Sequence, residues 1–366
     1  MCSPASLLSF AGAKDPTARA DNTQDPFHHP MLTLSKRHIA FALASLAVVV
    51  VVATMPQLLG DQVREGVEGV GEASRAWLWT ASLGFVLSLV ASGWAWRSAV
   101  LRCGGDTSRL DSASRYGAGS LLNAFAPAKL GTALRFGLFS RVLHGEGRIW
   151  TAGGIGTAVG IAHWLWLAAM LTFGAATGVL PTWPIGIVAL VVGVATATAW
   201  FARDSRAGSR TAHVLDAFRV FGRSPRAAGQ VLGWIGVATL GRIAAATAIA
   251  AAFGIEDPLL AAMLVVPALE LAGTLPLTPG NIGVASAAAA FALRAHGAGA
   301  DVALSAGIAF GAVETITSIA FGAGSVLYLG GAVAPGTRRW ATAAVGAAGC
   351  LALGVAFGAT VLFPIV

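Results

Sequence analysis

The chain has little charge. Only 11% of its 366 residues are Asp, Glu, Lys or Arg, less than half the ~25% usual in water-soluble domains. That scarcity excludes an ordinary solvated surface. A net charge of +7 does not imply nucleic acid here. The charges fall in short loops between apolar runs, where they act as topology signals and contacts to anionic lipid headgroups. Cysteine is almost missing. Cys2, Cys103 and Cys350 have no paired spacing, which argues against a disulfide framework or a cysteine zinc site. The metal-protease helix motif, the phosphate loop and the dinucleotide fingerprint are all absent. His144 and Glu146 in "RVLHGEGRIW" stand two residues apart with no third ligand, a weak metal signal. The expectation is a protein without enzymatic activity, metal or cofactor.

What the chain has is apolar surface: 56% hydrophobic residues and a mean hydropathy of +0.72. Several runs reach the ~20 residues that a bilayer-spanning helix needs. The fold class is therefore an all-α polytopic membrane protein. Seven full spans are expected at 39–55, 76–100, 150–178, 184–202, 231–253, 302–330 and 340–364. Two further apolar segments, 116–142 and 259–295, are each interrupted. Residues 1–37 are polar and broken by proline, so they are expected to form a disordered cytoplasmic tail. Met31 precedes "LTLSKRH" and then the first span, so 1–30 reads equally as a start-site artefact. Residues 38–366 form a single transmembrane domain.

Charge orients the array. Lys36 and Arg37 precede the first span, and 203–226 carries six arginines. Residues 56–75 and 254–258 are acidic by comparison. The positive-inside rule puts the basic segments and the N-terminus in the cytoplasm, and the C-terminus outside. Residues 99–115 and 141–148 are both basic. The segment between them must then enter and leave on one side. The same parity argument returns 259–295 to the outside. Each interrupted segment is expected to be a re-entrant helical hairpin, one dipping from each face of a cell membrane.

The tips of the two hairpins are alike. From Pro127 the chain places Leu130, Gly131 and Ala133 at +3, +4 and +6; from Pro279 it places Ile282, Gly283 and Ala285. Opposed topology and matching tips suggest inverted repeats, with broken helices meeting near the midplane. Non-helical backbone at that depth is tolerated only inside protein or along a wet cavity. A half-helix starting after either proline would aim free N–H groups and a positive dipole end at an anion. The alternative is two kinked continuous helices with no site.

These residues carry a resemblance. Asn123, Pro127, Ala128, Lys129 and Gly131 in the first half, with Pro279, Gly280 and Gly283 in the second, resemble the lysylphosphatidylglycerol synthase transmembrane-region family, also described as flippase-like integral membrane proteins. The resemblance covers about 38–330. It implies a lipid-handling membrane domain. This sequence departs from the family pattern at Lys129 (arginine in the family), at Thr132 and Ser286 (glutamate) and at Asn281 (glycine). Lysine keeps the charge but not the bidentate fork. Family members that make aminoacylated lipid carry a soluble transferase domain as well. Nothing after residue 330 could supply one, so synthase activity is not expected.

Three charges fall within apolar segments: Arg242, Glu270 and Glu314. A mid-bilayer charge costs at least ~2.5–3.5 kcal/mol, so each should face the interior. They read as a headgroup or proton site, or as an internal ion pair of Arg242 with Glu270 or Glu314. Lys129 reads as a phosphate ligand or as snorkelling to the interface. Arg135 is more easily interfacial, and Asn123 and Asn281 suit capping. His163 is expected to make one interhelical hydrogen bond. Gly156 and Gly160 read as close helix packing. The candidate substrate-binding set is Asn123, Pro127, Lys129, Gly131, Arg135, Arg242, Glu270, Pro279, Gly280, Asn281, Gly283 and Glu314. The function expected is movement of an anionic envelope lipid or lipid-linked precursor between leaflets. The alternative is a membrane scaffold or regulator of an envelope-lipid enzyme. Membrane lipids are the expected partners.

Overall fold

The computed structural model describes residues 71, 73–125, 130–145, 147–176, 178, 186, 189, 193, 224–273 and 282–331. The expected spans 39–55 and 340–364 lie outside the described residues, as does nearly all of 184–202. The arginine-rich loop also falls outside, apart from its last three residues.

Among the described residues there are eight helices and no strand. They are α1 Arg75–Arg102, α2 Arg109–Phe125, α3 Leu130–Ser140, α4 Arg148–Ala176, α5 Pro225–Ala252, α6 Pro258–Ala272, α7 Ile282–Ala295 and α8 Ala300–Gly331. Four of them, α1, α4, α5 and α8, are long and apolar enough to cross a membrane. At 1.5 Å per residue each is over ~40 Å long, against a ~30 Å hydrocarbon core. These four match the spans expected at 76–100, 150–178, 231–253 and 302–330. These four helices fit the multi-pass class.

Both interrupted segments are helix–break–helix. Their arms hold 17 and 11 residues in α2 and α3, and 15 and 14 in α6 and α7. None is long enough to cross the hydrocarbon core alone. α2 and α3 run antiparallel. Gly131 abuts Gly119 and Asn123, while Arg115 reaches the Leu138 carbonyl. The outer ends of this pair adjoin, with the Asp106 amide donating to the Val142 carbonyl at 3.2 Å. The outer ends of α6 and α7 also adjoin, where a His296 ring nitrogen meets the Glu256 carbonyl at 3.1 Å.

α1 and α5 define which end is which. They pack antiparallel over their whole length, from Ser74 beside Ala252 to Trp94 beside Trp234. At the crossing Gly84 and Gly241 let the backbones touch. A Cβ on Gly84 would sit 2.7 Å from the Gly241 carbonyl oxygen. This is the small-residue packing expected between membrane helices. The α2–α3 pair therefore opens at the Arg102 end of α1, and the α6–α7 pair at the Ser74 end.

Several boundaries differ from the sequence reading. α2 begins at Arg109 rather than near 116. Ser108 caps it by accepting from the Asp111 amide at 3.1 Å, the N-cap role that serine favours. Arg115 is therefore not a loop charge: it pairs with Asp111 at 2.8 Å and ties α2 to α3. α5 starts at Pro225, six residues early, because proline at the first helical position costs no hydrogen bond. Gly156 packs as expected, against Phe136 and Trp96, but Gly160 faces open space. Trp77, Trp79 and Trp150, close to helix starts, are exposed, as suits side chains at a membrane–water interface.

Two apolar cores result. One joins α1, α5, α6, α7 and α8 around Phe85, Ile249 and Phe310. The other joins α1, α3, α4 and α5 around Trp96, Phe139 and Ile155. A polar space lies beside them.

Candidate functional site

Polar residues at helical spacing build that space. On α2, Tyr116, Ser120 and Asn123 recur at intervals of four and three; on α8, Gly311, Glu314, Thr315 and Ser318 do the same. Such spacing puts each set on one face. α4 adds His163, α5 adds Arg242, and α6 adds Glu270. Together they line a cavity of about 420 Å³. A 60 Å³ annex extends it towards Ser88, Ser92 and Thr239. The inner ends of both broken segments border it, through Ala124 near the end of α2 and Gly273 just past α6.

Its centre is an ion triad. Arg242 Nη1 lies 3.2 Å from Glu270 Oε1, and Arg242 Nη2 lies 3.1 Å from Glu314 Oε1. One guanidinium thus holds two carboxylates, from α6 and α8. The sequence left a choice between Glu270 and Glu314 as partner; the fold takes both. A planar fork with donors on separate nitrogens suits this two-sided geometry. Each of the three side chains is 26–31% exposed, and all three line the cavity.

Arg135 forms a second cationic wall. Its guanidinium stacks 3.9 Å from the centroid of the Tyr116 ring, and Nη2 donates to Ser120 Oγ at 2.7 Å. No carboxylate pairs with it among the described residues. The sequence reading of Arg135 as interfacial is corrected, because α3 turns it inward against α2. Gly119 makes room for this: a Cβ there would strike the Arg135 side chain.

Of the candidate residues, Asn123, Arg135, Arg242, Glu270 and Glu314 meet around the cavity. Asn123 Oδ1 is buried without a hydrogen-bond partner, so no capping bond is made through that atom. Gly131 does not line the space; it is the contact point of α2 and α3. Gly283 is exposed with open space around it. Pro127, Lys129, Pro279, Gly280 and Asn281 lie outside the described residues, and so the proposed tip pocket does too. α3 and α7 do begin just beyond those breaks, at Leu130 and Ile282.

His163, expected to make one interhelical hydrogen bond, lines the cavity. Its Nδ1 meets the Val159 carbonyl of its own helix at 3.2 Å, not a neighbouring helix. Tyr116, Ser120, Thr315 and Ser318 were not singled out. The four- and three-residue spacing of polar groups in "YGAGSLLN" and "ETITS" was the available signal.

A comparison with protein families matches residues 38–322 to the family described as lysylphosphatidylglycerol synthase TM region. No curated protein matches the chain.

Proposed function

The chain belongs to the lysylphosphatidylglycerol synthase TM-region family, and on that premise we propose that it moves an anionic envelope lipid, or a lipid-linked precursor, between leaflets. The observation that carries this is the cavity: about 420 Å³, with Arg135, Arg242, Glu270 and Glu314 on its wall. Ionisable groups inside a membrane domain are expensive and mark substrate or ion pathways. The volume suits a polar headgroup, whose acyl chains would stay in lipid. Arg135 offers a guanidinium with no opposing carboxylate among the described residues, on the face where a phosphate oxygen would be stabilised. In this reading α2–α3 and α6–α7 are re-entrant hairpins within an array of seven spans, arranged as inverted repeats. The arginine-rich end faces the cytoplasm of a cell membrane. The chain itself makes and breaks no bonds.

The test is a leaflet-accessibility assay in proteoliposomes with fluorescent anionic and zwitterionic lipids. The expected result is faster exchange of anionic lipid than in protein-free vesicles, reduced by Arg135→Gln. Equal rates with and without protein, across a broad lipid panel, would refute transport. A scaffold for an envelope-lipid enzyme would then be the better reading.

A further inference from the structure

A second concave site lies at the Arg102 end of α1. Its volume is about 480 Å³, within the ~300–1,000 Å³ usual for small-ligand sites. It shares no lining residue with the central cavity. Three helices build it. On α1, Trp94, Arg97, Leu101 and Arg102 fall at i, i+3, i+7 and i+8, which puts them on one face. Trp234 comes from α5, and Arg109 is the first residue of α2.

Two of the three arginines are held in place. Arg97 Nε donates to the carbonyl of the buried Thr107 at 2.9 Å, which leaves its terminal fork open. Arg109 sits 5.7 Å from the centroid of the Trp94 ring, while Trp94 Nε1 donates to the Arg109 carbonyl at 3.2 Å. Trp94 packs edge-on against Trp234, with centroids 4.8 Å apart. Arg102, in the last turn of α1, is exposed. Among the described residues no carboxylate pairs with any of the three, and the nearby Asp111 is taken by Arg115 at 2.8 Å. Three guanidinium groups thus border one hollow without an acid to balance them.

Depth decides which anion fits. The 28 residues of α1 span about 42 Å at 1.5 Å per residue. Centred on a ~30 Å hydrocarbon core, the helix overhangs by ~6 Å, about one turn, at each end. Arg102 then lies at headgroup level, Arg97 at the hydrocarbon edge and Trp94 just within it. Tryptophan is favoured at that depth. Leu101 is 38% exposed and sets an apolar ledge beside the guanidinium groups. A soluble anion has no use for such a ledge; a lipid supplies charge and chain together.

We propose that this hollow binds an anionic phospholipid of the adjoining leaflet, with its phosphate among Arg97, Arg102 and Arg109 and an acyl chain along Trp94 and Leu101. The site is separate from the central cavity and is filled whether or not the cavity moves lipid. Hydrogen bonds from a guanidinium fork to phosphate oxygens are charge-assisted and strong. A choline lipid would carry its own cation into the same positive field, so the hollow selects for net negative charge.

The experiment uses the full chain in maltoside micelles. Native mass spectrometry counts bound lipid, with short-chain phosphatidylglycerol, short-chain phosphatidylcholine and glycerol phosphate compared. The wild type should hold phosphatidylglycerol about tenfold or more tighter than phosphatidylcholine, and equimolar glycerol phosphate should not displace it. Arg102 and Arg109 are exposed, so Arg102→Gln/Arg109→Gln should fold and should weaken this binding by about tenfold or more. Arg102→Lys/Arg109→Lys should retain most of it. Arg135→Gln, in the central cavity, should leave at least one phosphatidylglycerol bound. The same lipid count and affinity in wild type and the double glutamine variant overturns the site. Loss of all bound phosphatidylglycerol in Arg135→Gln also overturns it and leaves the cavity as the lipid site. Equal binding of the two lipids by the wild type, a comparison that needs no variant, overturns the selection for negative charge. Displacement by glycerol phosphate overturns the lipid in favour of a soluble anion.

Discussion

Replacing Arg242 by alanine removes the shared partner of two carboxylates at once. At an effective dielectric near 20, each pair is worth roughly 4 kcal/mol of Coulomb attraction at ~4 Å, offset in part by desolvation. Breaking such a buried pair typically costs about 3–5 kcal/mol. The side chains keep 26–31% exposure, which points to the lower part of that range. Arg242→Ala should therefore be about 3 kcal/mol less stable than wild type. Adding Glu270→Gln and Glu314→Gln to the variant should recover much of the loss, since neutral amides need no counter-charge. The assay is equilibrium unfolding in mixed micelles, followed by tryptophan fluorescence. A loss below ~1 kcal/mol, or no recovery in the triple variant, would refute the ion triad.

Gly84→Ala places a methyl 2.7 Å from the Gly241 carbonyl oxygen. Overpacking of this kind costs ~1–3 kcal/mol, so the same unfolding assay should give a clear loss. Gly233→Ala, which meets nothing within 4 Å, should be neutral or stabilising by up to ~1 kcal/mol from helix propensity. Burial pushes the Cys103 thiol up to about 11. Since the thiolate is the nucleophile, maleimide labelling of Cys103 should be slow at pH 7–8 and accelerate with pH until about 11; a plateau near pH 8.5 would show an ordinary exposed thiol. In a cysteine-free background, Arg141→Cys should label only from the cytoplasm and Glu256→Cys only from outside. Labelling of both from one side would contradict the opposed hairpins.

The sequence by itself determined the class and the four described spans. It could do so because hydrophobic length is a one-dimensional quantity, set by the bilayer rather than by neighbours. It also determined that Arg242, Glu270 and Glu314 must face inward, since a charge on lipid is too costly. It did not determine that one guanidinium would hold both acids. Residues 28 and 72 positions apart meet only because α6 and α8 both reach α5. Arg135 looked interfacial by its depth in the sequence, and the antiparallel packing of α3 on α2 turned it inward onto Tyr116. His163 was expected to bond to a neighbouring helix, and only the meeting of α4, α5 and α6 puts it on the cavity wall. Span is therefore legible along the chain. The site is not, because its charges come from separate helices and acquire their meaning only from one another.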